Sequence, residues 1–174
     1  MVTSALKLPE KTKTEQKQGK ISWNSEHCTS EPDFYTIGYS GKEINEFINI
    51  VKEAGIATLI DIRFLPVSRF KPEFSKNNLK RSLETNGIIY IHRPEWGVPR
   101  DVRAFSIGKK TRDDIWNWYD SYVLPNVIKK NLDEFFNSME HPIALMCVEH
   151  DPTECHRHRL FLGLERIGLT GCDL

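Results

Sequence analysis

Four short apolar segments recur along the chain, and most are followed by a stretch whose apolar residues have helical spacing. The first segment, FYTIGYS at residues 34–40, is rich in β-branched and aromatic residues. Residues 40–55 follow it with apolar side chains on one face of a predicted helix. Repeated strand-to-helix units favour parallel strands joined by right-handed crossovers. We therefore predict a three-layer α/β domain with a mainly parallel sheet of at least four strands and flanking helices.

The remaining elements follow from the same patterns. Further strands are predicted at IATLIDIR (56–63), IIYIHR (88–93) and PIALMCV (142–148). The first of these lacks alternation, as expected of a strand buried on both faces. Further helices are predicted from Ser75 to about Asn86, within 112–140 with a break near Pro125, and from about Thr153 to Ile167. Residues 94–111 are predicted to form a long irregular loop.

Capping residues predict where the first two helices begin and end. Ser40 is a predicted N-cap, and Glu43 lies three residues later, as in a capping box. Gly55 and Gly87 are predicted to end the first and second helices, because glycine readily adopts the left-handed conformation found there.

The chain is predicted to contain one domain of residues 33–174, preceded by a flexible polar tail of residues 1–32. The tail is lysine-rich and has too few apolar residues to offset the entropy of ordering it. No segment has the length and apolarity of a membrane span, and no secretory signal is recognised at the start. We predict a cytoplasmic protein that does not bind membranes, whose four cysteines stay as thiols.

Charge is unevenly distributed although the formal net charge is zero. Residues 61–81 and 92–112 each carry six lysines and arginines against two acidic residues. Clustered cations indicate a phosphate-bearing or nucleic-acid partner. Solvated loops produce similar clusters, and the zero net charge argues against a protein that coats DNA. The sequence contains no pattern that predicts an oligomeric state.

Polar and reactive residues follow every predicted strand. They are Gly38 and Ser40, Asp61 and Arg63, His92 and Arg93, and Cys147 and Glu149. Because the carboxyl ends of parallel strands meet at one edge of a sheet, we expect these side chains to converge in one pocket. Residues two apart in a strand share a face, which pairs Asp61 with Arg63 and Cys147 with Glu149.

Structural roles are alternatives for most of these residues. Asp61 and Arg63 could form a structural ion pair, and Cys147 could be a small core residue. The four aromatic residues at 116, 118, 119 and 122 suit core packing better than base stacking.

The stretch CVEHDPTECHRHR at residues 147–159 raises three possibilities, namely a reactive site, a metal site, or the polar edge of a helix. If Cys155 lies at a helix start, the helix dipole lowers its thiol pKa and the free backbone N–H groups provide a binding site for an anion. Zinc is disfavoured because the spacing matches no zinc motif and because adjacent Cys155 and His156 seldom face one metal. We therefore predict no metal.

Three stretches together resemble the family called domain of unknown function 488. They are YTIGYSGKEINEFINIVKEAGIATLIDIRFLPVSRFKPEF (35–74), GIIYIHRPEWG (87–97) and ALMCVEHDPTECHRHRL (144–160). The resemblance implies a compact α/β protein and supplies no reaction. It implies signature residues at Gly38, Ser40, Asp61, Arg63, Pro66, Ser68, Arg69, Phe74, Tyr90, His92, Glu95, Gly97, Cys147, Glu149, Cys155, His156 and Arg157. Trp96 stands where leucine is usual, and the chain ends at GCDL where family members continue through a further strand.

The leading hypothesis is an enzyme that acts on a phosphate-bearing substrate, a nucleotide or nucleic-acid component, by hydrolysis or group transfer. The predicted anion ligands are Arg63, Arg69 and Arg157, with Gly38, Ser40, Ser68 and Tyr90 completing the substrate site. Asp61 or Glu149 would act as general base or Cys155 as nucleophile, with His92 or His156 transferring protons. No nucleotide cofactor is expected, because phosphate-loop and dinucleotide motifs are missing. The alternative is a non-catalytic nucleic-acid-binding or regulatory module.

Overall fold

The structure is a computed structural model that describes residues 31–104, 111–129 and 132–174. Five strands form one parallel sheet in the order β3-β2-β4-β1-β5. The strands are β1 (Phe34–Gly38), β2 (Thr58–Asp61), β3 (Ile89–His92), β4 (Ile143–Cys147) and β5 (Gly171–Asp173). The prediction of a three-layer α/β fold is confirmed, and the end of the chain supplies the fifth strand, which pairs with β1.

Seven helices accompany the sheet among the described residues. They are α1 (Ile44–Glu53), α2 (Lys76–Thr85), α3 (Arg100–Ala104), α4 (Arg112–Tyr122), α5 (Leu124–Ile128), α6 (Leu132–Asn137) and α7 (His156–Arg166). Three single 3-10 turns occur at Pro72–Phe74, Pro94–Trp96 and Pro152–Glu154. The predicted break near Pro125 separates α4 from α5. The predicted irregular loop after β3 contains α3, and residues 105–110 of it lie outside the described residues.

Helix boundaries agree with the sequence at three of four predicted caps. Ser75 precedes α2, and Gly55 and Gly87 follow α1 and α2 with positive φ of 68° and 76°. The prediction of Ser40 as N-cap of α1 is wrong. Residues 39–42 form a turn closed by a hydrogen bond from Lys42 N to Tyr39 O (3.1 Å), so the helix begins later with Glu43 as its N-cap.

The two faces of the sheet are covered by different helices. On the α1/α2 face, apolar side chains of the sheet, α1 and α2 pack together, including Ile37, Leu59 and Met146. On the α7 face, side chains such as Ile60 and Leu145 pack against residues of α4, α5, α6 and α7. All five residues of β4 are buried, because this central strand is covered on both faces.

Strand register brings the carboxyl ends together. Gly38 at the end of β1 is level with Cys147 at the end of β4. Asp61 at the end of β2 is level with His92 of β3 on one side and Met146 of β4 on the other. The loops that carry the predicted site residues therefore leave the sheet at one edge, here called the carboxyl edge.

The cysteines at the end of β4 and before α7 differ in chemical state from the cysteine of β5. Cys147 and Cys155 are free thiols, whereas Cys172 in β5 is disulfide-bonded. The prediction that all four cysteines stay as thiols is therefore wrong for Cys172.

The predicted polar tail lies, up to residue 30, outside the described residues. In the described ranges, no helix has the length and apolarity needed to cross a membrane. A cytoplasmic location stays a prediction.

Candidate active site

A buried ion pair lies at the carboxyl edge on the α1/α2 face. Arg63 Nε lies 2.8 Å from Asp61 Oδ1, and Arg63 Nη2 lies 2.6 Å from Oδ2. The Tyr90 hydroxyl donates to the same Oδ2 at 2.6 Å, and the main-chain N of Arg63 donates to Oδ1 at 3.1 Å. Both Asp61 and Arg63 are almost completely buried. The carboxylate thus accepts four hydrogen bonds, which is the arrangement that a buried charge requires.

The electrostatics of this pair favour its charged form. Burial lowers the pKa of the Arg63 guanidinium, but the hydrogen bonds and charge of Asp61 outweigh it and raise the pKa overall. Burial and the neighbouring Asp61 charge together raise the pKa of Tyr90, which keeps its hydroxyl protonated as a donor. The guanidinium also lies over the Tyr39 ring, 5.2 Å from the centroid. Arg63 Nη1 is the buried atom of this group with no hydrogen-bond partner among the described residues.

His92 extends this cluster toward the surface. Its Nε2 lies 2.9 Å from the carbonyl oxygen of Arg63, and its Nδ1 lies 3.1 Å from Lys76 Nζ. Since a charged lysine can only donate, Nδ1 accepts and Nε2 carries the proton. His92 therefore fixes the backbone after β2, and its role in proton transfer stays a prediction.

Three buried side chains with nitrogen or sulfur atoms meet on the α7 face. Cys147 Sγ lies 3.7 Å from His156 Nδ1, and Cys155 Sγ lies 3.9 Å from the same nitrogen. His156 Nε2 lies 3.3 Å from the carbonyl oxygen of Ile62. We call Cys147, Cys155 and His156 the Cys-Cys-His cluster. All three residues are at most 3% exposed.

The thiol of Cys155 does not have the predicted low pKa. Burial raises its pKa well above the ordinary value, and neighbouring Cys147 raises it further, while His156 lowers it less. Cys155 directly precedes α7, but its removal from water outweighs the influence of the helix start. The predicted lowering is wrong, and the free thiol is protonated near neutral pH.

Glu149 connects this cluster to an open cavity. Its Oε2 lies 3.8 Å from Cys147 Sγ, as expected for residues two apart at the end of a strand. The cavity has a volume of about 390 Å³, within the usual range for small-ligand sites. It is lined by Val98, Arg103, Arg112, Ile115, Trp116, Glu149, Glu154, Cys155 and His156.

The predicted site residues share the carboxyl edge but separate onto the two faces of the sheet. Asp61, Arg63 and His92 lie on the α1/α2 face, whereas Glu149 and the Cys-Cys-His cluster lie on the α7 face. The cavity is lined only by residues of the second group and their neighbours. The two groups meet just after β2. Ile62 lies between Asp61 and Arg63 in sequence, and its carbonyl oxygen contacts His156. The expected single pocket is therefore two adjacent clusters.

Arg157, predicted to bind an anion, points into the protein. It is 0% exposed. Its Nη1 donates to the carbonyl of Glu149, its Nη2 donates to that of His150 at 3.0 Å, and its guanidinium pairs with Asp173 at 3.3 Å. All three guanidinium nitrogens have protein partners, since Nε also lies 3.4 Å from Asp173. Arg157 thus holds the loop after β4 against β5.

The remaining predicted ligands lie outside the cavity lining. Ser40 is exposed, and its main-chain N donates to the carbonyl of Val148 at 2.8 Å. The Ser68 main-chain N donates to Ser75 Oγ at 3.1 Å, which shapes the loop after β2. Arg69 in that loop is exposed. Their substrate contacts stay predictions.

Gly38 permits the close approach of β1 to the loop after β4. A Cβ placed on Gly38 would collide with the carbonyl of Glu149 and would lie 2.7 Å from Arg157 Nη1. We expect Gly38→Ala to destabilise the fold by about 2–3 kcal/mol, the cost of overpacking against rigid backbone. Urea denaturation measures this loss. Gly41→Ala is the control, because nothing lies within 4 Å of its Cβ and only its φ of 83° is strained; an equal loss in both variants would contradict the steric explanation.

Several residues of this region escaped sequence reasoning. Arg103 and Arg112 line the cavity, and only the basic charge of residues 92–112 hinted at them. Trp116, for which core packing was predicted, also lines the cavity. Lys42 is 8% exposed, and its Nζ donates to Gly38 O at 3.0 Å and contacts His150 Nδ1 at 3.2 Å. Burial lowers the pKa of Lys42. No local sequence pattern distinguishes this lysine from a surface one.

Fold and site define a class of α/β protein with ionisable residues gathered at the carboxyl edge of a parallel sheet. The family described as "Domain of unknown function DUF488" matches residues 43–161, about two thirds of the chain. The chain belongs to this family, which confirms the resemblance seen in the sequence. No curated protein and no solved structure matches the chain.

Proposed function

We propose that this protein is an enzyme that binds a phosphate-bearing substrate, a nucleotide or nucleic-acid component, in the cavity on the α7 face. The observation that supports the proposal is the composition of the cavity wall. It combines two arginines with two carboxylates, a thiol and an imidazole in a volume suited to a small ligand. The reaction class is hydrolysis or group transfer.

The arginines supply the contacts for phosphate. Arg103 and Arg112 are both exposed residues at the cavity wall. Arg112 pairs with Glu154, and both side chains of this pair are about half exposed. An exposed pair contributes less than about 1 kcal/mol, so a phosphate dianion can replace the glutamate as partner. One guanidinium group can donate two parallel hydrogen bonds to two phosphate oxygens, and this geometry also fixes the orientation of the ligand.

Glu149 is the general base in this proposal. Asp61 already accepts four hydrogen bonds and is completely buried, so it has no accessible lone pair for substrate. Glu149 is half-buried and lines the cavity. Its carboxylate can take a proton from a water molecule or hydroxyl group that attacks the substrate. Cys155 is a poorer nucleophile, because burial raises the pKa of its thiol.

Ligand binding tests the proposal. The full chain is screened by thermal shift against nucleoside phosphates, sugar phosphates and inorganic phosphate, and hits are titrated by calorimetry. We expect Arg112→Gln to weaken binding by about 10-fold to 100-fold, the value of a charge-assisted hydrogen bond. Arg166→Gln is the matched control, because Arg166 is an exposed arginine at the end of α7 and does not line the cavity.

Turnover distinguishes an enzyme from a binding protein. Glu149→Gln should retain binding of the identified ligand and lose conversion of it, since the amide cannot accept a proton as a base. Equal binding by wild type, Arg112→Gln and Arg166→Gln would contradict the cavity as the phosphate site. Unchanged conversion by Glu149→Gln would contradict the assigned base.

A nucleic-acid-binding module is the second candidate, and a specific feature favours it. The loop after β2 exposes Phe70 completely, beside the exposed Arg69, and leaves Phe64 40% exposed. Exposed aromatic and basic side chains bind single strands by base stacking and phosphate contacts. Binding of a short single-stranded oligonucleotide that is lost in Phe70→Ala but kept in Arg112→Gln would favour this candidate.

A further inference from the structure

We propose that the Cys-Cys-His cluster binds a zinc ion at the inner wall of the cavity. Cys147, Cys155 and His156 each offer one ligand atom, and these atoms lie within 4.8 Å of one another. All three residues are buried, so an ion held there has its protein ligands shielded from water. Two thiolates and an imidazole form a common zinc ligand set.

The distances fit a shared ion. Zinc bonds of about 2.3 Å to sulfur and about 2.0 Å to nitrogen, at tetrahedral angles, place these ligand atoms about 3.6 Å apart. The two sulfurs lie 3.7 and 3.9 Å from His156 Nδ1. Cys147 Sγ is also 3.8 Å from His156 Nε2, so the sulfur is almost equally far from both ring nitrogens. The side chain of Cys147 or the ring of His156 must therefore rotate for the Nδ1 lone pair to face the ion. No backbone movement of several ångströms is needed.

The second nitrogen of His156 supports coordination through Nδ1. Nε2 lies 3.3 Å from the carbonyl of Ile62, which can only accept. A proton on Nε2 leaves Nδ1 as the unprotonated nitrogen. Metal-bound histidines characteristically donate their other N–H to a carbonyl or carboxylate, which fixes the ring.

The backbone explains how adjacent residues can face one ion. Cys155 has an extended conformation, with φ −128° and ψ 146°, and His156 is the first residue of α7. This change of conformation between neighbours brings both side chains to Cys147. Adjacent side chains point apart within a regular strand or helix but not at this junction, so the adjacency of Cys155 and His156 does not exclude a zinc site.

Three protein ligands leave one position of a tetrahedral zinc ion for a further ligand. Two thiolates neutralise Zn²⁺, so the buried centre carries no net charge. Cys155 and His156 line the cavity together with Glu149, whose Oε2 lies 3.8 Å from Cys147 Sγ. A zinc with three protein ligands and one water is the arrangement found in catalytic sites. The inference concerns metal binding alone, so it does not depend on the proposed substrate.

Zinc titration tests the inference. The full chain is treated with chelator, kept under argon with mild reductant, and titrated with zinc chloride, followed by metal analysis after desalting. We expect one zinc per chain. Cys155→Ser and Cys147→Ser should each weaken binding by at least about 100-fold, because even outer partners of metal ligands are worth 10-fold to 100-fold. Cobalt should give a thiolate charge-transfer absorption that both variants lose.

The control variant is His158→Gln, which changes a histidine two residues after His156, outside the cluster. It should bind zinc like wild type, and circular dichroism should show that each serine variant remains folded. Wild-type protein with reduced thiols that takes up no stoichiometric zinc would overturn the inference. Equal zinc binding by Cys155→Ser, or loss of it in His158→Gln, would also overturn it. Each result is obtained without substrate and stands whether or not the cavity binds phosphate.

Discussion

Asp61→Ala is expected to lower the free energy of unfolding by about 3–5 kcal/mol, the cost of leaving a buried charge without its partner. The substitution leaves the Arg63 guanidinium, which is 2% exposed, beside an apolar methyl group. It also removes the acceptor for the Tyr90 hydroxyl, which bonds Asp61 at 2.6 Å. Both remaining groups are then buried without a partner at that position.

Urea denaturation followed by circular dichroism measures this loss. Glu84→Ala is the control, because Glu84 also pairs with a cation, Lys80 at 3.6 Å, but its side chain is 52% exposed. The control should lose less than about 1 kcal/mol. The double variant Asp61→Leu with Arg63→Met should be more stable than Asp61→Ala, since replacing both ions leaves no unpaired charge. A loss below about 1 kcal/mol in Asp61→Ala would show that the pair contributes little.

Arg157→Ala is expected to destabilise the protein by a similar amount, about 3–5 kcal/mol. The guanidinium is completely buried and joins the carbonyls of Glu149 and His150 to Asp173 in β5. Its removal leaves both carbonyls without these donors and leaves the Asp173 carboxylate without its cation. Because the chain after β4 forms part of the cavity wall, the variant should also lose ligand binding as a consequence of unfolding.

The pH dependence of this variant follows from Asp173. Burial raises the pKa of Asp173, and the charge of Arg157 opposes this. A carboxyl group with a raised folded pKa contributes stability that is fully present below its unfolded pKa, about 4, and lost as pH rises through the folded pKa. Removing Arg157 raises that pKa further. The loss in Arg157→Ala should therefore be larger at pH 7 than at pH 4.

Stability curves at both pH values, with Arg166→Ala as an exposed arginine control, check this result. The control should change the free energy of unfolding by less than about 0.5 kcal/mol. An Arg157→Ala protein of nearly wild-type stability that binds phosphate ligands more weakly would instead support the sequence-based prediction of an anion contact. The two roles are thus separated by one variant and two measurements.

Local sequence patterns were sufficient to predict the α/β architecture and the edge of the sheet at which the site lies. Buried β-favouring runs such as 58–61 and 143–147 each precede a helical pattern or a turn, and these preferences act over a few residues. Parallel pairing then follows from the crossovers, so the strand ends meet at one edge. Alternation within one strand likewise predicted that Asp61 would lie beside Arg63.

The tertiary structure alone decided what these residues do at that edge. Asp61 and Cys147 end strands of the same sheet, yet they lie on opposite faces, because Asp61 is level with Met146 and Cys147 lies one residue further along β4. Arg157 resembles its exposed neighbours in sequence, but its partners are contributed by the loop after β4 and by β5. The cavity arginines come from α3 and α4, distant from Glu149 in sequence. Burial, partner choice and ligand geometry depend on contacts between distant segments, and no local pattern encodes which segments meet.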